Sequence, residues 1–265
     1  MYCTLQPQYG GGAAVYCGGG SPAISGCSFV SNAGAFESRG AIWLTSDGPF
    51  TIDDCLFESN TAGSGGGAIA LDPLTMEAQL TLSRCTFVGN SARQGGAALL
   101  VGVSTVTDCT FYGNWSDMPD RGGALMLGGT AEIRNTIIAY SSGGGAAYCS
   151  NGSAVLECCD VYGNGGGDWV GCFEGQDGTN GNISLDPKFC DASGEDFTLE
   201  AGSPCQADYN PDCGLIGAWP VACGDPASVR EPAEDDPPAT ATTWCGLKAL
   251  FRCNRSANPC SVLPS

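Results

Sequence analysis

One phrase recurs along this chain. "FVSNAGAFESRGAIWL" begins at Phe29, "FESNTAGSGGGAIAL" at Phe57, "FVGNSARQGGAAL" at Phe87 and "FYGNWSDMPDRGGALML" at Phe111. A cysteine stands two residues ahead of each copy, at Cys27, Cys55, Cys85 and Cys109, and the frame continues with Asn135 and Cys159 in that place. The spacings are 28, 30, 24, 26 and 24 residues. A second marker, the alanine after a glycine burst, falls at Ala13, Ala41, Ala68, Ala97, Ala124 and Ala146. A repeat of this length is one supersecondary unit that cannot bury its own apolar face, so neighbouring units must stack. The drift in spacing places variable loops between fixed positions.

The ordered segments are short and alternating: "FTIDDCLF", "LTLSRCTF", "STVTDCTF" and "AEIRNTII". Glycine bursts and β-branched pairs are poor helix material and read as brief strands separated by turns. Ile52, Leu82, Val106 and Leu156 lie three residues before the repeat cysteine, an odd offset that breaks alternation and predicts a corner or bulge between them. After that corner, Phe29, Phe57, Phe87, Phe111, Ile137 and Val161 form the expected interior stack. Two or three strands per repeat predict an all-β, single-stranded, right-handed parallel β-helix of about six to eight coils, a rod of roughly 30–40 Å. Asn32, Asn60, Asn90, Asn114 and Asn164 then form a column at one turn, since Asn tolerates left-handed backbone and stacked amides hydrogen-bond along a column. The glycines before alanine serve a second tight corner.

The paired "F-x-x-N" and "G-G-A-hydrophobic" motifs resemble the repeats of polymorphic outer-membrane proteins. "FVSN", "FESN", "FVGN" and "FYGN" match the first, "GGAI" at Gly66 matches the second, and "RGAI", "GGAA" and "GGAL" come near it. The resemblance covers about residues 10–165. It implies a pectin-lyase-like β-helix in a bacterial secreted or surface protein, and it specifies architecture more than function. The stretch "NISLDPKFCDASGEDFTLEAGSPCQADYNPDCGLIGA" is similar to the closing coil of many secreted bacterial β-helix proteins. The expected organisation is therefore coils over 1–181, a C-terminal cap over 182–223, an acidic proline-rich linker over 224–242 and a cysteine-containing tail over 243–265. The tail reads equally as an anchoring remnant or as a truncated end.

The chain holds 17 cysteines and no zinc-type C-x-x-C spacing, a usage that fits an oxidising, extracytoplasmic setting. Cys190, Cys205, Cys213 and Cys223 are close enough in sequence for two disulfides in the cap, with the pairing unreadable. The stacked repeat cysteines read instead as small apolar fillers. No apolar run approaches the length of a membrane helix. The opening "YGGGAAVYC" matches "GGGAAYC" at Gly143 and reads as the middle of a repeat. A chain truncated at its N-terminus, its export signal lost, is the expectation.

The absence of histidine removes Ser-His-Asp and Cys-His nucleophilic machinery. With 28 acidic against 10 basic residues, the net charge of −18 repels nucleic acid and anionic lipid, and repels polyanionic sugars unless a cation bridges them. The resemblance implies two enzymatic alternatives, a polysaccharide lyase using Arg or Lys with Asp-bound calcium, or a glycoside hydrolase using clustered Asp. Here the only lysines, Lys188 and Lys248, lie outside the repeats. The best carboxylate pair, Asp53–Asp54, sits at the predicted corner and reads as solvated; Ca2+ is the one cofactor it invites. No catalytic residue is assigned.

Binding has more support. The residue after the repeat Phe should face outward, giving Val30, Glu58, Val88, Tyr112, Ile138 and Tyr162. Tyr112 and Tyr162 would stand two coils apart. Trp115 and Arg121 lie in the long insertion of the fourth copy, and Trp169 in "GGGDWVG". These five are the candidate carbohydrate-binding residues, competing with a role in covering the coil's edge. A structural or adhesive, monomeric surface protein that meets polysaccharide or another cell-surface component is the expected function. "NWS", "NGS", "NIS" and "NRS" match glycosylation acceptors at Asn114, Asn151, Asn182 and Asn254 and read as chance in such a chain.

Overall fold

The computed structural model describes residues 3–4, 14–34, 37–73 and 75–224. The linker and tail expected beyond residue 224 lie outside the described residues.

Among the described residues six coils stack in parallel register, and each contributes one strand to each of three sheets. The first sheet holds Val15–Cys17, Ile42–Leu44, Ile69–Leu71, Ala98–Leu100, Leu125–Leu127 and Ala147–Cys149. The second holds the longer strands, among them Gln79–Ser83, Val103–Thr107, Thr130–Arg134 and Ser153–Glu157. The third holds the phenylalanines: Ser28–Val30, Leu56–Glu58, Thr86–Val88, Thr110–Tyr112, Ile137–Ala139 and Asp160–Tyr162. In the long strands buried and exposed residues alternate, so Leu80, Leu82, Val106, Ile133 and Leu156 point inward. The predicted corner follows immediately. Asp54, Arg84, Asp108, Asn135 and Cys158 all have φ between 45° and 56°, and this one left-handed residue resets which side faces the core.

Phe29, Phe57, Phe87 and Phe111 stack almost face-parallel inside, with centroids 5.0, 4.8 and 4.4 Å apart. The column continues through Ile138 and Val161, not through Ile137 as the spacing implied, because Phe111 pairs with Ile138. The slip arises because Thr136, not Asn135, occupies the cysteine place. Its Oγ1 donates to the Arg134 carbonyl at 2.8 Å, as the Cys109 thiol donates to Thr107 at 3.2 Å and the Cys85 thiol to Ser83 at 3.1 Å. A small side chain that returns a hydrogen bond two residues back is what the corner needs, and threonine provides one.

Cys55, Cys85, Cys109 and Cys159 are buried free thiols, as the filler reading requires, whereas Cys27 is disulfide-bonded. The acidity of two of them is suppressed: Cys55 is raised by its hydrogen bond to Cys85 and by burial, and Cys159 is pushed up to about 12 by burial. Thiolate is the reactive form, so these groups are chemically inert in the fold.

The asparagine column is present. Asn60 Oδ1 accepts from the Asn32 backbone N–H (3.0 Å) and Nδ2 (2.8 Å), Asn90 does the same for Asn60, and Asn114 for Asn90. The ladder resumes where Asn164 Oδ1 accepts from the Ser141 N–H at 3.0 Å. Between them, Ser141 takes the asparagine position. Its buried Oγ has no partner, and its side chain is too short to cap Asn114. Ser141→Asn should restore the missing rung and raise stability by about 1 kcal/mol in urea unfolding; a loss of stability would show that this corner has no room for the amide.

The glycine corner is backbone packed on backbone. Gly66 has φ +62°, and a Cβ there would lie 1.9 Å from the Ile69 carbonyl oxygen. A Cβ on Gly96 would lie 2.2 Å from the Gly123 oxygen and 2.4 Å from that of Trp115.

Residues 182–223 begin as the last rung, with Ile183 bridging Asp160, and then turn back along the outside of the phenylalanine sheet. The buried Phe173 joins the main core near the end of the stack, and the Cys149–Cys172 disulfide ties its short 3-10 turn to the first sheet. The returning segment descends coil by coil. The Gly217 N–H donates to the Asn135 carbonyl (2.8 Å), Ala218 N–H to Thr110 Oγ1 (3.0 Å) and Trp219 Nε1 to Thr86 Oγ1 (2.8 Å). Of the four cap cysteines, Cys190 and Cys223 pair within the segment. Cys213 pairs instead with Cys158 on the coil, and Cys205 remains a thiol. Two disulfides internal to the cap are thus corrected to one internal staple and one that fastens the segment to the helix.

Candidate functional site

The tyrosine column lies under the returning segment. Tyr112 and Tyr162 occupy one register position two coils apart, with Ala139 between them where the spacing had implied Ile138. Their rings are half-buried. Tyr112 meets Phe197 at 5.1 Å, Phe189 at 5.7 Å and Tyr140 at 5.5 Å, and Tyr140 meets Tyr162 at 5.6 Å. Edge-to-face aromatic packing of this kind holds the segment down. Tyr140 also donates to Asp186 Oδ1 at 3.1 Å; burial, foremost, raises its phenol above the usual range.

Trp169 is half-buried against the core beside Phe173, with its Nε1 buried. Arg121 lies with its guanidinium 5.0 Å from the centre of the Tyr148 ring, a cation–π contact across one coil boundary. Neither lines the surface that Trp115 lines.

Trp115 is different. It is 46 % exposed and borders an open groove of about 490 Å3 lined by Thr61, Ala62, Gly63, Ser91, Ala92, Arg93 and Asp117 as well. Three successive coils contribute the same positions, because Thr61 bridges Ser91 and Ser91 pairs with Trp115 in parallel register. The exposed side chains of this strip sit immediately after the ladder asparagines, whose buried amides fix the backbone beneath them. Thr61 Oγ1 and Ser91 Oγ share a hydrogen bond of 3.2 Å. Ala62 and Ala92 point inward and are buried. The Trp115 N–H donates to the Asn90 carbonyl at 2.9 Å, and the indole Nε1 lies over Gly143, where a Cβ would come within 2.8 Å of it. A glycine on the next coil therefore gives the ring room to lie along the strip.

Sequence reasoning found Trp115 but not Thr61, Ser91, Arg93 and Asp117. The signal was available: the residue after each ladder asparagine must face outward, since the asparagine faces in.

Asp53 is engaged at its corner. It accepts from Ser83 Oγ at 2.7 Å and forms an ion pair with Arg84. Asp54 is the left-handed corner residue itself. The pair thus takes the corner position the sequence implied.

One carboxyl group among the described residues lies deep in the molecule. Asp160 is fully buried between the phenylalanine sheet and the returning segment. Its Oδ2 accepts from the Cys205 thiol at 3.1 Å and its Oδ1 from the Leu185 N–H at 3.1 Å. Burial pushes its carboxyl up to about 7, despite both hydrogen bonds, and nearby Asp168 and Asp186 add to the rise.

Residues 2–130 match the family described as the right-handed β-helix region. The fold is a right-handed parallel β-helix. In the structure the same coil continues past the matched residues to Tyr162, so the β-helix runs on through the rest of the fifth coil and the whole of the sixth. No curated protein matches the chain.

Proposed function

We propose that this β-helix is a secreted or cell-surface protein of bacterial type that serves a structural or adhesive role by holding carbohydrate on its wall. The observation that carries the reading is the groove beside Trp115: an exposed indole set among side-chain hydroxyls on a rigid surface. Sugar rings present apolar faces and many hydroxyls, and such a strip offers both an aromatic plane and hydrogen-bonding groups. The Cys149–Cys172, Cys158–Cys213 and Cys190–Cys223 disulfides support an oxidising compartment. The outer-membrane repeat motifs support the same setting.

The test is a panel of acidic and neutral polysaccharides incubated with the purified chain, with and without Ca2+. Retention on at least one polysaccharide, without new reducing ends or unsaturated products, is the expected result. Calcium-dependent cleavage would replace this reading with the lyase or hydrolase alternative and direct attention to the arginines and Asp53–Asp54.

A further inference from the structure

Resting on the carbohydrate reading, we propose that the groove takes an uncharged polysaccharide chain laid along the helix axis, with one sugar ring stacked on Trp115.

The direction follows from how the groove is built. A groove running around a coil would be lined by consecutive residues of one rung. This one is lined by equivalent residues of three rungs: Thr61 to Gly63, Ser91 to Arg93, and Trp115 with Asp117. Successive rungs stand about 4.8 Å apart, so the lining extends about 10 Å along the axis. Its floor is flat because Ala62 and Ala92 turn inward, leaving Thr61 and Ser91 as the exposed or half-exposed side chains. Among the described residues, the strip stays open at both ends. Ala33, which bridges Thr61 below, and Ser142, which bridges Trp115 above, are small and exposed. A chain longer than the groove can therefore run on past it in either direction.

The class of sugar follows from charge. Asp117 stands on the rim and Asp120 follows in the same loop, both exposed, on a protein of net charge −18. A uronate or sulfated chain would bring a carboxylate or sulfate into this field at each substituted ring, with Arg93 the one cationic group among the lining residues. An uncharged chain meets no such penalty. Its hydroxyls can donate to Asp117 and exchange hydrogen bonds with Thr61 and Ser91, which are placed to do both. Trp115 supplies the anchor: its backbone is fixed by the ladder below it, so little freedom is lost when a ring stacks on it.

The experiment is affinity electrophoresis in gels containing a soluble uncharged glucan, mannan or xylan, or a polygalacturonate, run with the wild-type chain, Trp115→Ala and Ser91→Arg. Ser91→Arg fills the middle of the strip while keeping the tryptophan in the chain, and thermal melts establish that each variant is folded. Uncharged polysaccharide should retard the wild type, and either substitution should weaken retardation by about tenfold or more, the scale of an aromatic anchor. Affinity for matched oligosaccharides should climb with length until three rungs are spanned and then level off. Retardation by polygalacturonate alone, or retardation by an uncharged glycan that both folded variants keep, would overturn this inference and leave the carbohydrate reading standing. No retardation on any polysaccharide would overturn both.

Discussion

Phe87→Ala is expected to destabilise the protein by about 3–5 kcal/mol, the range for emptying a large buried aromatic site. Phe87 is fully buried and lies between two parallel phenylalanine rings, one at 4.8 Å and the other at 4.4 Å. Its removal leaves a cavity between two stacked rings, and the stacking of those rings is lost as well as the area it buried. The surrounding coils cannot collapse into the gap, because their spacing is set by strand pairing on all three sheets and by the Asn60–Asn90–Asn114 ladder at the corner. Urea unfolding at neutral pH measures the loss. A change below 1 kcal/mol would mean that the coils do relax, and that the phenylalanine column is filler rather than the frame of the core.

The second large effect belongs to Asp160 and depends on pH. An ordinary carboxyl titrates near 4; this one is raised to about 7 by burial. The folded state therefore holds a proton that the unfolded chain has released between those values. By linkage, the stabilisation this group contributes is fully present below about pH 4, declines as pH rises and is lost above about 7, a swing of about 4 kcal/mol. The groups facing it do not reverse the sign: Cys205 is itself raised by burial and stays a thiol, and Asp168 and Asp186 are of like charge. Asp160→Asn is uncharged at every pH. It should match the wild type near pH 4 and exceed it at pH 8, and the difference between the two chains isolates this group from the other carboxyls. A difference that is flat from pH 4 to 8 would show that the buried carboxyl does not titrate in this range.

Much of the coil was legible because each rung repeats the same few physical demands. A left-handed residue is needed before the cysteine, a large apolar residue two after it, an amide three further on and glycines where backbone packs on backbone. Around Cys85, Arg84, Phe87, Asn90 and Gly95–Gly96 meet all of them. The frame falls one residue early at Asn135 because no cysteine marks that coil and spacings that vary from 24 to 30 do not choose between neighbours, while the corner asks only for a small hydrogen-bonding side chain, which Thr136 supplies. Trp115 was found as an exposed aromatic, and its groove partners were missed although they follow the ladder asparagines. Tyr112, Arg121, Tyr162 and Trp169 could not be sorted from it by pattern. What packs against them is distant in sequence or shaped by local loops, and period gives no information about it. The contacts of Trp219 with Thr86 and of Ala218 with Thr110 span 133 and 108 residues. No repeat arithmetic predicts which face a non-repeating segment will cross.

That returning segment has a consequence for how the protein can change over generations. The helix by itself could gain or lose a whole rung without disturbing its registers: excising residues 85–108 would bring Cys109 onto Cys55, with the corners and columns intact. The segment outside forbids this freedom. Its residues 217–219 step down the wall one rung at a time and end with Trp219 on Thr86, and the rung below offers Leu56 at that register, which has no hydroxyl to receive the indole. The segment acts as a ruler laid against the stack. It ties the rungs between Thr86 and Asn135 to its own length, so this stretch of a solenoid whose modular design permits any length can neither gain a rung nor lose one.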